Sequence, residues 1–327
     1  MAKKKHSKKL PKTLPVNFVN RLESIYGRTL KEEILKTFVD KPTTFRVNTL
    51  RADRSKILEV LREHHFSVEK VGWYEDAFIL KNKSKRELTD LDIYKEGFIY
   101  IQSLASMVPP LVLNPVPGDK VLDLTAAPGS KTSQMAAFMK KNGELVANDL
   151  NKVRFFRLKA NMEILGVSEP FEGWDFHLRM EDASVLTTEY AEYFDKVLLD
   201  VPCSGEARFI EGYPKSYGYW SEKKIKALGY RQQKILFSGW SALKKGGSMV
   251  YSTCTLAPEE NEVRISKFLD RVGEEAMIES ISVKGLKVAK PVMEWKEKKL
   301  HKEVAKTLRI LPTNQIEGFF VAKITKR

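Results

Sequence analysis

The chain has 327 residues, with 56 Lys and Arg against 42 Asp and Glu, a formal net charge of +14. Hydrophobic residues make up 43% and aromatic residues 10%, enough for a packed core, and the length suits one large domain beside a smaller one. No apolar run approaches bilayer length, the basic start Met1-Ala2-Lys3-Lys4-Lys5 has no apolar segment behind it, and no amphipathic helix sets Trp or Phe against a Lys/Arg face. These features exclude a bilayer-spanning helix, weigh against a membrane-surface protein, and lead us to expect a cytoplasmic location. The positive excess calls for an anionic partner, most often phosphate.

Residues 1–12 are Lys-rich and are expected to be an unstructured tail. Phe18, Val19, Leu22 and Ile25 recur at helix spacing, as do Leu30, Ile34, Leu35 and Phe38, so two helices are predicted before Pro42. Phe45 to Leu50 then reads as a strand. Ile57, Leu58 and Leu61 line a helix capped by Asp53 or Ser55, and Val68–Val71 and Ala77–Leu80 read as strands. This β-α-β-β pattern suits a small α+β module that resembles an RNA-recognition fold in outline only, because the aromatic signature strand of that fold is missing.

After the charged stretch from Lys81 to Lys95, strands and helices alternate. Strands are predicted at Val121–Leu124, Leu145–Asn148, Lys196–Asp200, Met249–Ser252 and Gly318–Ile324. Helices are predicted near Thr132–Met139, Val153–Leu165, Ser221–Leu243 and Glu259–Val272. Repeated β-α units imply an α/β fold with a doubly wound, mostly parallel sheet, whose ligands sit at the carboxyl ends of the strands. The expected organisation is a basic tail and helical extension over 1–42, the small module over 43–95 and a catalytic domain over 96–327.

Asp123-Leu124-Thr125-Ala126-Ala127-Pro128-Gly129-Ser130-Lys131-Thr132 joins a strand to a helix. Ala126, Ala127 and Gly129 keep side chains away from the helix amino terminus, where a ligand can approach the backbone. The spacing matches neither a P-loop nor G-x-G-x-x-G, so a phosphate cradle is disfavoured, whereas a cofactor bearing a carboxylate suits the helix dipole and Lys131. Asp149, after the second strand, is placed to accept from both hydroxyls of a ribose, and Asp182, ahead of Ala183, to accept from an adenine amino group.

There are two cysteines, and the five histidines (His6, His64, His65, His177, His301) show no metal-ligand spacing, so no metal is expected. Asp200-Val201-Pro202-Cys203-Ser204-Gly205 and Ser252-Thr253-Cys254-Thr255 each close a strand, which sets both thiols on the ligand-binding rim. Cytosine carbon 5 is a poor nucleophile until a thiolate adds at carbon 6 and breaks the aromaticity of the ring. Cysteine is the usual residue for such covalent catalysis, provided nearby positive charge or backbone dipoles lower its pKa. Asp200 is suited to holding the nitrogen edge of the base.

With these residues the chain resembles the RNA (cytosine-5)-methyltransferase family, often called the Sun family. The resemblance runs from about Phe45 to the end. It is carried by Ile101-Gln102-Ser103-Leu104-Ala105-Ser106-Met107, Asp123 to Thr132, Asp200 to Gly205, Tyr251 to Glu262 and Gly318 to Ala322, with Phe45 to Leu50 similar to the family's Arg-Val-Asn element. It implies a class I methyltransferase fold that binds S-adenosylmethionine. The cofactor residues expected are Thr125, Ala126, Ala127, Pro128, Gly129, Ser130, Lys131, Asp149, Arg154, Asp182 and Asp200. It further implies that Cys254 is the nucleophile and that Cys203 helps release the product, with Asp200 beside them. Thr125 departs from the family, which often has Cys there.

The expected partner is RNA, either tRNA or rRNA, bound by a monomer. Amino-group methyltransferases carry an Asn/Asp-Pro-Pro-aromatic motif, and Asp200-Val201-Pro202-Cys203 does not match it. A second reading is an RNA-binding or ribosome-assembly factor with secondary or lost methylation, which the basic tail and the Lys-rich stretch from Lys284 to Arg309 would suit.

Overall fold

The computed structural model describes residues 13–327; the Lys-rich segment read at 1–12, His6 included, lies outside the described residues. The first helix, α1 (Val16–Leu35), is one stretch bent at Gly27, whose φ of 73° leaves the helical region. The two helical patterns in the sequence are the two arms of α1. Phe18, Leu22 and Ile34, together with Phe38 beyond the helix, bury against Phe209, Tyr217 and Leu256. The amino-terminal extension therefore props the outer side of the loops that carry the two thiols.

The small module contains β1 (Thr44–Val47), α2 (Arg54–Glu63), β2 (Val68–Lys70), β3 (Ala77–Leu80), α3 (Lys85–Asp90), α4 (Asp92–Lys95) and β4 (Ile99–Ile101). Its four strands form an antiparallel sheet in the order β2-β3-β1-β4. Ile57 and Leu61 of α2 are buried as their spacing predicts, and Asp53 stands at the N-cap position without a side-chain capping bond. The boundary read at 95/96 cuts through this sheet, because Ile99–Ile101 pairs with Val47–Phe45. A three-residue strand is too short to leave a periodicity in the sequence.

The larger unit continues with α5 (Leu104–Leu113), β5 (Lys120–Asp123), α6 (Ser130–Phe138), β6 (Gly143–Asn148), α7 (Lys152–Ile164), β7 (Trp174–Arg179), α8 (Ala183–Glu189) and β8 (Phe194–Asp200). Next come α9 (Glu222–Ala242), β9 (Leu243–Thr253), α10 (Glu262–Val272) and β10 (Ala276–Glu279). Four short strands, β11 (Val288–Ala289), β12 (Glu294–Trp295), β13 (Lys298–Lys299) and β14 (Leu308–Ile310), precede the final β15 (Phe319–Lys326). The sheet runs β11-β14-β15-β9-β8-β5-β6-β7, with β10 also paired to β15. Strands β7, β6, β5, β8 and β9 are parallel, and β15 lies antiparallel on β9. Two clusters of buried apolar side chains cover the two faces of the sheet.

This is the mostly parallel, doubly wound class I methyltransferase architecture. The chain leaves β5 toward β6 on one side and returns to β8 on the other, so the switch point, and the crevice it opens, lies at the carboxyl ends of β5 and β8. No helix among the described residues is long and apolar enough to cross a membrane.

The small module is bolted to that crevice by buried polar side chains. Arg46 of β1 is fully buried; its Nε donates to Gln102 Oε1 at 2.9 Å, and its guanidinium also reaches Ser133 in the first turn of α6. Asn48 Nδ2 donates both to the Gly97 carbonyl at 2.8 Å and to the Leu165 carbonyl, beyond α7, at 2.9 Å.

Candidate active site

Five parallel strands end at one rim, and each carries an expected site residue on the turn that follows it or at its last position. The turn after β5 brings Thr125 up to β8, where its Oγ1 donates to the Asp200 carbonyl at 3.0 Å. Asp149, directly after β6, accepts from Asn151 N at 3.0 Å and from Ala127 N at 3.3 Å, and pairs with Arg154 at 3.2 Å. Asp182 caps α8, with one carboxylate oxygen accepting from Ser184 N at 2.9 Å. A cleft of 370 Å³ gathers Thr125, Asp149, Arg154 and Asp182, and adds Asn148, Glu181, Pro202, Arg231 and Lys234 to its walls.

Other members of the expected cofactor set hold the turn's shape instead of lining this cleft. Ala126 and Ala127 are buried in the turn. Pro128 is exposed, and its carbonyl accepts from Asn161 Nδ2 at 2.7 Å. The Ser130 carbonyl faces Arg46 at 3.4 Å. Gly129 has a φ of +102°, and a Cβ there would meet Met162 Cε at 2.5 Å and Leu158 Cδ1 at 2.9 Å. The positive φ is what calls for glycine here, since the side-chain ends of Met162 and Leu158 could shift.

Lys131 and Asp200 sit between the cofactor turn and the thiols. Lys131 Nζ pairs with Asp200 Oδ2 at 2.7 Å and donates to Ser106 Oγ at 2.5 Å, while Ser252 Oγ donates to Asp200 Oδ1 at 2.9 Å. Behind them the Asp123 carboxyl is fully buried, with Thr132 Oγ1 donating to its Oδ2 at 2.7 Å and its Oδ1 without a partner. Burial pushes this carboxyl up to about 7, against the pull of Thr132 and Lys131.

The loops after β8 and β9 place Cys203 Sγ and Cys254 Sγ 3.3 Å apart, both half-buried. The two sulfurs share a hydrogen bond, which, with the positive charges of Arg208 and Lys131, draws the Cys254 thiol below its ordinary range despite its burial. The same bond pushes the Cys203 thiol well above its ordinary range, with burial adding to the effect.

Polar bonds beneath the sulfurs fix the two loops to each other. Ser204 Oγ and Thr255 Oγ1 are 2.7 Å apart. Glu260 accepts from Ser204 N at 3.0 Å and from Gln232 Nε2 at 2.7 Å; Glu206 accepts from Thr255 Oγ1 at 3.1 Å and from Trp220 Nε1 at 2.7 Å. Burial raises both carboxyls, Glu260 to about 7.

The sequence reading missed Arg208, which follows Cys203 in a loop with no periodicity, and missed Arg231 and Lys234, which read as ordinary solvated helix charges. It also passed over Glu206 and Glu260, acids whose burial only the fold reveals.

Residues 110–325 match the family model described as 16S rRNA methyltransferase RsmB/F, and residues 14–104 match the N-terminal domain of 16S rRNA methyltransferase RsmF. The chain belongs to the RsmB/F family. A relative from Pyrococcus abyssi, a tRNA (cytosine(49)-C(5))-methyltransferase, is 34% identical over 310 residues, covering 94% of this chain and 96% of its own length. The ribosomal RNA small subunit methyltransferase F of Shewanella loihica is also 34% identical, over 95% of this chain, but the chain spans only 62% of that relative. A solved structure of a methyltransferase homologue from Pyrococcus horikoshii superposes with a TM-score of 0.79 at 30% identity, covering 95% of both chains.

This RsmB/F member is a methyltransferase whose cofactor is S-adenosylmethionine, and the site fits that group. Asp149 offers a carboxylate suited to a vicinal diol, and the unpartnered Asp123 Oδ1 is a buried acceptor without a donor of its own. The cleft is large enough for a ligand of nucleoside size.

Proposed function

We propose that this chain methylates carbon 5 of cytosine in structured RNA, a tRNA or an rRNA, through a covalent adduct with Cys254. The observation that carries the reading is the pair of thiols 3.3 Å apart, one drawn down and one pushed up, beside an Asp200 bonded to both the cofactor turn and β9. The named activities of the two relatives, on tRNA and on ribosomal RNA, support it.

The Cys254 thiolate adds to carbon 6 of the cytosine, and the electron pair of the 5,6 double bond becomes available at carbon 5. Asp200, held by Lys131 and Ser252, receives the nitrogen edge of the ring as charge shifts into it. The bound cofactor supplies an electrophilic methyl group, which carbon 5 takes. Cys203 then serves release: with the Cys254 sulfur joined to carbon 6 and no longer holding its proton, Cys203 gives that proton up to water and, as a thiolate, takes the carbon 5 proton. The double bond re-forms as the Cys254 thiolate leaves with the pair of its carbon–sulfur bond. The cofactor-side residues Thr125, Lys131, Asp149, Arg154 and Asp182 orient the donor across the switch-point cleft. Both thiols must stay reduced, which suits a cytoplasmic protein, and nothing in this scheme asks for a second protomer.

Replacing each thiol in turn tests the assignment. Cys203→Ala is expected to accumulate a protein–RNA adduct that survives denaturing electrophoresis, whereas Cys254→Ala forms none. The reverse pattern would exchange the two roles. Nucleoside mass spectrometry on separate tRNA and rRNA pools, searching for new 5-methylcytidine, identifies the substrate class. Absence of the nucleoside in both pools would leave the RNA-binding reading in its place.

A further inference from the structure

A second concavity, of 470 Å³, opens beside the thiols but outside the cofactor cleft. Its walls come from three parts of the chain: the linker between α1 and β1, with Lys41 and Thr44; the turn between β4 and α5, with Gln102 and Ser103; and the segments carrying Arg208 and Glu317. It therefore lies where the amino-terminal units meet the catalytic unit. The Arg208 segment is tied to the nucleophile, since Ala207 N donates to the Cys254 carbonyl at 3.2 Å.

The charges in this groove are unequally satisfied. Lys41 Nζ spends its donors on the carbonyls of Thr37 and Thr313. Glu317 Oε2 is shut off from solvent and has no hydrogen-bond partner. Arg208 is exposed at the groove and lies close enough to Glu317 to feel its charge. An exposed guanidinium and an orphaned carboxylate oxygen at one groove match the two ends of a nucleotide, a phosphate and a base edge carrying N–H donors. A buried acceptor left without a donor costs free energy, which a ligand that donates to it returns.

We propose that this groove is a subsite for a nucleotide flanking the target cytosine, with Arg208 on its phosphate and Glu317 accepting from the exocyclic amino group of its base. The inference rests on the cytosine-methylation reading for the route the RNA takes past Cys254. Glu317 then selects adenine or cytosine over uracil, because uracil presents a carbonyl oxygen where those two carry their exocyclic amino group. Single-stranded and looped RNA is read through unstacked base edges of this kind.

The test uses the full chain and a pool of RNA hairpins in which both neighbours of a loop cytosine are randomised. After incubation with S-adenosylmethionine, RNA captured by an antibody to 5-methylcytidine is sequenced without base conversion and reports the neighbours of methylated cytosines; filter retention of the same pool reports the neighbours of bound RNA without requiring turnover. The expected result is that uracil is disfavoured at one flanking position by roughly fivefold or more, the low end of what one base-edge pairing confers. Glu317→Gln, whose amide can donate to the uracil carbonyl, shifts that preference toward uracil. Val39→Trp, at the exposed rim of the groove, abolishes the preference at that position by blocking entry. Equal use of all four bases at both positions, or a preference unchanged in both variants, overturns the subsite. Preference in the bound fraction with no methylated cytosine would instead sink the catalytic reading and leave the subsite standing.

Discussion

Arg208 shows what one residue contributes to the Cys254 thiol. Its guanidinium and the Cys203 thiol both stabilise negative charge on the Cys254 sulfur, so the Cys254 thiolate forms at lower pH than an ordinary thiol's. Removing the cation disfavours the charged form, so the pKa must rise and the reactive fraction at a given pH must fall. Arg208→Gln is therefore predicted to move the Cys254 alkylation profile to higher pH. The measurement is the iodoacetamide rate against pH on the free protein, with the modified peptide identified by mass spectrometry. An unmoved profile would remove Arg208 from the activation of the thiol. The thiols themselves were legible in the sequence because each closes a strand at the rim. Arg208 was not, because a charge in an aperiodic loop carries no sign of what it faces.

At the level of elements, a buried ion pair joins α1, α10 and β14. Arg309 Nη2 meets Glu262 Oε2 at 2.5 Å with both side chains out of solvent, and Arg309 Nη1 also donates to Tyr26 OH and to the Leu256 carbonyl, each at 2.9 Å. Breaking such a pair strands a charge, whereas replacing both partners by apolar groups need cost little. Arg309→Met alone should lower stability by about 3–5 kcal/mol, and adding Glu262→Leu should restore most of it. Urea unfolding followed by tryptophan fluorescence decides this; a single variant as stable as the parent would show the pair to be dispensable. Ala77–Leu80 and the helices near 153–165 and 221–243 could be placed from the sequence within a residue or so, because long or fully apolar segments carry their own signal. Strands β4 and β10 could not, because Ile99–Ile101 and Ala276–Glu279 are short. Trp174–Arg179 alternates apolar and polar residues, the period of a half-buried outer strand, and that signal was passed over.

For the whole molecule, the net charge of +14 has its counterpart in exposed lysines and arginines such as Lys223, Lys226, Arg231 and Lys234 along α9, with Arg231 and Lys234 reaching the cofactor cleft. If RNA is held through its phosphates, binding releases counterions, and affinity falls with salt. For about six contacts the loss is on the order of a thousandfold between 50 and 200 mM salt. Fluorescence anisotropy with a labelled tRNA transcript across that range measures the slope, and a flat response would rule out phosphate tracking. The class of the fold could be read from the alternation of strands and helices, but the joint between its two units could not, since the partners of Arg46 and Asn48 lie far along the chain.

That joint has a mechanical consequence. Arg46 and Asn48 reach from the small sheet to α6 and to the end of α7 through bonds sealed from water, so the two units meet without a hinge between them. A bracket of this kind presents one fixed shape to whatever enters it. On the proposed cytosine chemistry, the work of swinging the base out of its stack then falls on the RNA, and loops or mismatched sites, where stacking is already weak, are the places where that work is smallest.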